Sequence, residues 1–227
     1  MFGVIVNVVA ILIGGTVGLL LKKGLNENVK TVVMQAIGLS TIVIGIAGAI
    51  ATENILLLIL SLVIGGTIGA LLKIDSGLER LGQNIERKFA SENGGFAKGF
   101  VLATLIYCVG AMAIVGSIEA GVNGDNTTLY IKSILDGVTA IVFTATLGYG
   151  VIFSAIPVLL YQGGIVILGK FIEPYLTDQM INEMSAVGGV IILGIGLSIL
   201  EIKKIRLGDL LPAIFLPIIY FIIVGLF

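Results

Sequence analysis

There is no histidine in these 227 residues and only one cysteine, Cys108. The first absence removes the commonest transition-metal ligand and the usual general base near neutral pH. The second makes a disulfide framework impossible and argues against a cysteine-based metal site. Charge is scarce too: Asp, Glu, Lys and Arg supply 12% of the chain, the net charge is -1, and no run of five Lys or Arg exists. Nothing therefore draws the chain to nucleic acid. Enzyme motifs are equally wanting. The stretch from Gly164 nearly matches a phosphate-binding loop, but Phe171 stands where Ser or Thr would hold magnesium, and the match lies inside an apolar run. Gly194-Ile-Gly196 lacks the third glycine of a dinucleotide site, and neither G-x-S-x-G nor H-E-x-x-H occurs. The sequence is read as a non-enzyme with no cofactor.

What the chain has in plenty is apolar surface, with 57% hydrophobic residues and a mean hydropathy of +1.15. Soluble domains carry roughly 45–50% apolar and 25% charged residues, so this composition belongs in a lipid bilayer. At about 20 residues per crossing the chain holds at most about eight or nine helices and no separate soluble domain. The apolar runs predict an all-α membrane protein of eight transmembrane helices, at 3–21, 31–51, 54–72, 98–118, 130–148, 150–170, 184–200 and 208–227. Only LGYG separates the fifth from the sixth, and a tight glycine turn there is preferred to one over-long helix. The first run lacks a basic flank and an A-x-A site, so it is kept as a mature helix rather than a signal peptide.

Basic residues set the orientation. With alternating loops, Lys22, Lys23, Lys30, Lys73, Arg80, Arg87, Lys88, Lys98, Lys203, Lys204 and Arg206 share one side, against Lys132 and Lys170 on the other. The positive-inside rule then puts both termini outside a bacterial cytoplasmic membrane. In the longest loop, 76–97, Leu78, Leu81, Ile85 and Phe89 recur at helical steps between charges. That is an interfacial amphipathic helix or a docking surface for a partner.

Two internal echoes organise the rest. GVIVNVVAILIGG from Gly3 is matched by GVIFSAIPVLLYQGG from Gly150, and MQAIGLSTIVIGI from Met34 by MSAVGGVIILGIG from Met184. Helices one to three thus correspond to six to eight, and because five helices is an odd step the copies cross in opposite senses. The expectation is a single domain built as an inverted repeat, 1–75 and 149–227, around a central helix pair in 98–148. A second echo, IGGTVGLLLKK at Ile13 and IGGTIGALLKI at Ile64, puts Gly14 with Gly18 and Gly65 with Gly69 in G-x-x-x-G pairs, read as close packing or as a hinge or backbone ion ligand. The abundance of glycine beyond a monomer's needs suggests a homodimer.

The candidate site forms around Asp136, the one acidic side chain well inside an apolar run. A buried carboxylate costs about 2.5–3.5 kcal/mol on insertion scales and persists where a cation, a proton or a polar partner compensates. One reading is a pathway site for a monovalent cation, with Gly137, Thr139 and Thr144 on the same helix. The other is a helix-end anchor, with Asp136 paired to Lys132 one turn away. Asn7 and Ser154 occupy matching positions of the two copies and would form a quasi-symmetric polar pair, with Gln162 one turn beyond Pro157. Pro157 has no N–H to give residue 153 and so loosens the helix.

The strings CVGAMAIVGSIEAG, KSILDGVTAIVFTATLGYGVIFSAIPVLLYQG and MSAVGGVIILGIGLSILEIKKIRLGDLLPAIF resemble a family of bacterial integral membrane proteins of the YqgA and YdfK type, over essentially the whole chain. Asp136, Gly137, Pro157, Gln162 and Pro212 fall within them. The resemblance implies eight-helix membrane architecture. Members have been loosely described as sodium channels or pumps and linked to biofilm behaviour, with no agreed substrate.

Overall fold

The computed structural model describes residues 1–22, 26–89, 96–109, 111–172 and 176–224. Among them every regular element is helical: α1 (Phe2–Lys22), α2 (Glu27–Ala49), α3 (Ile55–Leu72), α4 (Ile74–Phe89), α5 (Phe96–Cys108), α6 (Ala111–Val122), α7 (Thr127–Leu147), α8 (Gly150–Phe153), α9 (Ala155–Ile172), α10 (Asp178–Ile199), a 3-10 helix (Leu207–Phe215) and α11 (Leu216–Val224). Among the described residues six helices are each long and apolar enough to cross a bilayer, or seven if the bent pair α5 and α6 forms one span, and Leu207–Ile223 is a shorter apolar stretch.

Three expected helices differ in shape. The fourth is broken, with a 58° bend between Phe96–Cys108 and Met112–Val122. The eighth begins as nine residues of 3-10 helix around Pro212, because proline has no N–H to donate to the fourth residue back and its ring crowds that carbonyl. The seventh starts earlier, at Asp178, where the Thr177 side chain accepts from the Met180 N–H and caps the helix. The turn expected at LGYG is present: Gly148 ends α7 at φ 92°, a left-handed angle that glycine adopts without a side-chain clash.

The chain divides into two compact units, each assembled from separate stretches of sequence. The first comprises 1–34, 78–108 and 112–171. Here α1 packs along α7, running in the same direction, so that Gly14 faces the Gly137 backbone and Gly18 that of Ile141. The start of the seam is fixed by the Asn126 side chain, whose Oδ1 accepts from the Gly3 N–H at 2.9 Å. Just outside α7, Asp125 accepts from the Thr127 N–H, and that bond holds its carboxyl below the usual range. α8 and α9 together run antiparallel to α1, with Gln162 of α9 against Asn7 and Ile152 of α8 against Gly15.

The second unit comprises 35–77, 109–111 and 172–227. In it α2 and α10 cross antiparallel through glycines, Gly38 facing Ile199 and Leu200, and Gly48 facing Gly189. α3 and the 3-10 helix likewise cross antiparallel, Gly65 against Ala213 and Gly69 against the Asp209 carbonyl. Both G-x-x-x-G pairs therefore serve close packing. In lipid, where no hydrophobic force draws helices together, such backbone approach is what holds them. Most glycines that suggested a homodimer are occupied within the chain. The outward residues of α3, including Ile55, Leu56, Ile59 and Val63, are exposed and apolar, as a lipid-facing surface requires.

A glycine pair tests the seam. A Cβ at Gly14 would overlap the Gly137 carbonyl oxygen, whereas one at Gly164 would meet nothing within 4 Å. Gly14→Ala is expected to lower stability by about 1–3 kcal/mol, and Gly164→Ala to leave it unchanged or slightly raised. Melting curves of both proteins in detergent check this, and equal behaviour would refute the close approach.

The helix expected in the long loop forms as α4, Ile74–Phe89. The side chains of Leu81, Ile85 and Phe89 lie outside the described residues, as do those of Lys22, Lys23, Lys30, Arg87, Lys88 and Lys170 among the basic residues.

Candidate functional site

Asp136 is the tenth of the 21 residues of α7, because that helix begins at Thr127 rather than at the expected position 130. At 1.5 Å per residue the carboxylate lies about 14 Å in, near the middle of the helix. It is 6% exposed. The Lys132 ammonium lies 2.5 Å from its Oδ2 and is also buried. Lys132 was expected to mark the outer boundary. Instead it is buried against the carboxylate, within the helix rather than at its end.

Two further helices deliver polar groups to the same place. The Asn7 amide of α1 donates to Asp136 Oδ2 at 3.0 Å and to Gln162 Oε1 of α9 at 3.1 Å. Asn7 and Gln162 are both fully buried. Among the described residues, Asn7 Oδ1 and Gln162 Nε2, the remaining halves of these amides, have no hydrogen-bond partner. Buried polar atoms are usually paired, so two unpaired ones beside a buried ion pair call for an explanation. On the α5 side, the Tyr107 ring lies with its centroid 6.0 Å from the Lys132 ammonium and stacks near Phe143.

The pairing expected of a helix-end anchor thus exists, but in surroundings that do not suit an anchor. Lys132 precedes Asp136, which is the less favourable order for an i,i+4 pair in the field of the helix dipole. Neither group reaches a helix end. The pair is neutral overall, flanked by an unpaired amide acceptor and an unpaired amide donor, and can exchange one hydrogen-bonded partner for another without burying net charge.

The other expected residues distribute as follows. Thr139, half-buried, turns its hydroxyl to the Leu135 and Asp136 carbonyls of its own helix. Thr144 is buried against Gly15 and Gly18 of α1 with its hydroxyl unpaired. Gly137 lies in the α1 seam, next to Ala10. Ser154 does not meet Asn7: its hydroxyl donates to the Val151 carbonyl at the break between α8 and α9. Asn7 reaches Gln162 instead, because the crossing of two helices, and not a likeness in sequence, decides which side chains meet. Pro157 sits in the first turn of α9, and α8 ends at Phe153, the residue whose carbonyl Pro157 cannot serve. Gly65 belongs to the second unit and to its packing.

Two buried acids in the second unit, Glu183 and Asp209, are not among the expected site residues. Glu183 is fully buried and accepts from the Thr52 hydroxyl at 2.6 Å and from the N–H groups of Glu53 and Asn54 at 2.7 and 3.1 Å. It caps the start of α3. The signal was available, since Thr177 with Asp178 behind it is an N-terminal capping pattern that moves Glu183 from a loop into a helix. Asp209 accepts from the Asp75 N–H, Asp75 accepts from the Gly208 N–H, both at 2.9 Å, and Arg206 pairs with Asp209 at 2.8 Å. Each acid caps the other's helix.

Residues 2–222 match a family model described as a protein of unknown function (DUF554). The chain is 35% identical to the uncharacterized membrane protein YdfK of Bacillus subtilis (strain 168) over 230 residues, covering 98% of this chain and 97% of that one. It is 31% identical to the uncharacterized protein YqgA of Escherichia coli (strain K12) over 221 residues, covering 94% and 93%. No solved structure matches. A match across nearly the whole length, with relatives aligned end to end, identifies the chain as a helical membrane protein belonging to the DUF554 family.

Proposed function

We propose that the chain is a transport protein or channel of the bacterial inner membrane for an ion or small solute, not an enzyme, with its site where α1, α7 and α9 meet. The observation that carries this reading is the convergence of Asn7, Lys132 and Gln162 around Asp136 near the middle of α7, with Asn7 Oδ1 and Gln162 Nε2 unpaired. Intramembrane ionisable groups at such depth are expensive and typically mark a path for substrate or ions. A monovalent cation suits the single carboxylate.

The inverted repeat belongs to this reading. Its support is that each pair of corresponding helices crosses antiparallel: α1 with α9, α2 with α10, and α3 with the 3-10 helix. Copies of opposite topology that pack on each other must cross in this way. Eight crossings follow if α5 with α6 makes one and Leu207–Ile223 another. Both termini then lie outside, and withdrawing Lys132 from the loops strengthens the charge asymmetry behind that orientation.

Flux in proteoliposomes tests the assignment, with sodium, potassium, proton and fluoride gradients applied in turn. The wild type is expected to carry a monovalent cation and Asp136→Asn to carry none. Because that change leaves the Lys132 ammonium facing a neutral amide, Asp136→Asn/Lys132→Met is measured beside it as a charge-balanced control. Undiminished flux in either folded variant would overturn the site. A wild type that moves nothing would favour a sensor or scaffold acting through the 16-residue helix α4.

A further inference from the structure

The place beside Asp136 where a cation would bind is filled by the protein itself. The Lys132 ammonium and the Asn7 amide both donate to Oδ2, and neither donates to Oδ1. The oxygens gathered here are those of the Asp136 carboxylate, the Gln162 amide carbonyl and the unpaired Asn7 amide carbonyl. An all-oxygen set with one negative charge is the ligand chemistry of a hard monovalent cation rather than of a soft metal. The charge it would neutralise is already neutralised by Lys132, since the carboxylate and ammonium sum to zero. A second cation entering beside the ammonium would leave a buried net positive charge, which a low-dielectric interior strongly disfavours. Among the described residues no other full charge pairs with Asp136 or Lys132. Cys108 and Tyr107 approach from α5 and Tyr161 lies on α9, all ordinarily neutral at pH 7, and Glu119 of α6 is engaged by Thr128 one turn outside Lys132.

We infer that Lys132 is the tethered occupant of a monovalent-cation site made by Asp136, Asn7 and Gln162, so that a free cation binds there only when the Lys132 side chain vacates it. This deepens the transport reading and rests on it for what the site is used for. Lys132 is then the residue that sets the threshold for cation entry. A long flexible stem suits the part, because the ammonium can swing from Oδ2 without backbone movement.

Cation-dependent melting of the purified full-length protein tests the inference, with choline chloride as the reference salt. In Lys132→Met the site carries one unbalanced negative charge. Sodium or potassium is expected to raise its melting temperature by about 5 °C at saturation. Wild type and Lys132→Arg, in which the occupant remains, are expected to show no difference between choline and either metal. Asp136→Asn/Lys132→Met, which lacks the charge, should not respond. Lys132→Gln serves the same purpose as Lys132→Met should the methionine variant not fold. A folded Lys132→Met or Lys132→Gln protein unmoved by lithium, sodium, potassium or rubidium would overturn the inference. So would a wild type that responds as strongly, or a response that survives loss of the Asp136 charge. The two tests fail separately: a wild type without flux removes the transport role, whereas an unresponsive Lys132 variant removes the occupant role.

Discussion

Removing one member of the Lys132–Asp136 pair is expected to cost about 3–5 kcal/mol, and removing both together far less. Each group is buried and each is the other's charge partner. In Asp136→Leu the ammonium is left among Tyr107, Asn7 and apolar side chains with nothing to balance it. In Lys132→Met the carboxylate keeps, among the described residues, only the hydrogen bond from Asn7. In Lys132→Met/Asp136→Leu no charge remains to be desolvated, and the residual cost, about 1 kcal/mol, is the hydrogen bond that Asn7 loses. The result expected of a double-mutant cycle in choline buffer is therefore a coupling of several kcal/mol. Additive losses would mean that the two charges do not depend on each other, and the neutral-pair account of the site would fall with them.

The second large effect is expected at Glu183. Its carboxylate serves the Thr52 hydroxyl and the N–H groups of Glu53 and Asn54, where α3 begins. Those N–H groups precede or open the helix and have no carbonyl one turn back to receive them. Glu183→Ala leaves the Thr52 hydroxyl and the Glu53 N–H without this acceptor and the Asn54 N–H with only Thr52 Oγ1 at 3.2 Å, and a loss of about 3–4 kcal/mol follows from the charge-assisted bonds forfeited. Glu183→Gln keeps an oxygen for the two N–H groups and lets the Thr52 hydroxyl rotate, so its cost is expected to be nearer about 1 kcal/mol. Thermal unfolding of the two variants measures the difference. A Glu183→Ala protein as stable as wild type would show that water replaces the cap at no cost. The proposed flux is expected to survive in folded Glu183→Gln, because Glu183 belongs to a different unit from Asp136.

The glycine seams show why close helix packing could be read from sequence while the partners could not. The echo of IGGT with a following glycine at Ile13 and Ile64 is a local pattern, and in both places the glycines meet backbone. Yet Gly14 meets a helix running parallel to its own, and Gly69 meets one running antiparallel. The motif specifies close approach and leaves the partner and its direction open. The expected meeting of Asn7 with Ser154 failed for a related reason: equivalence under a repeat is not contact, and the crossing point decides which residues touch.

Membrane class, the approximate helix positions, the turn at Gly148 and the unusual cost of Asp136 were all determined by the sequence alone. Each is a one-dimensional property, a run of apolar residues, a glycine between two such runs, or a charge within one, and transfer into lipid depends on little else. Tertiary structure decided the rest. It turned Lys132 from a boundary residue into the buried partner of Asp136, chose Gln162 rather than Ser154 for Asn7, bent the chain between α5 and α6, and buried Glu183 as a cap. These outcomes depend on which helices pack and at what crossing. A buried polar group is held by whatever donor or acceptor a neighbouring helix brings within about 3 Å, and sequence order does not fix that neighbour.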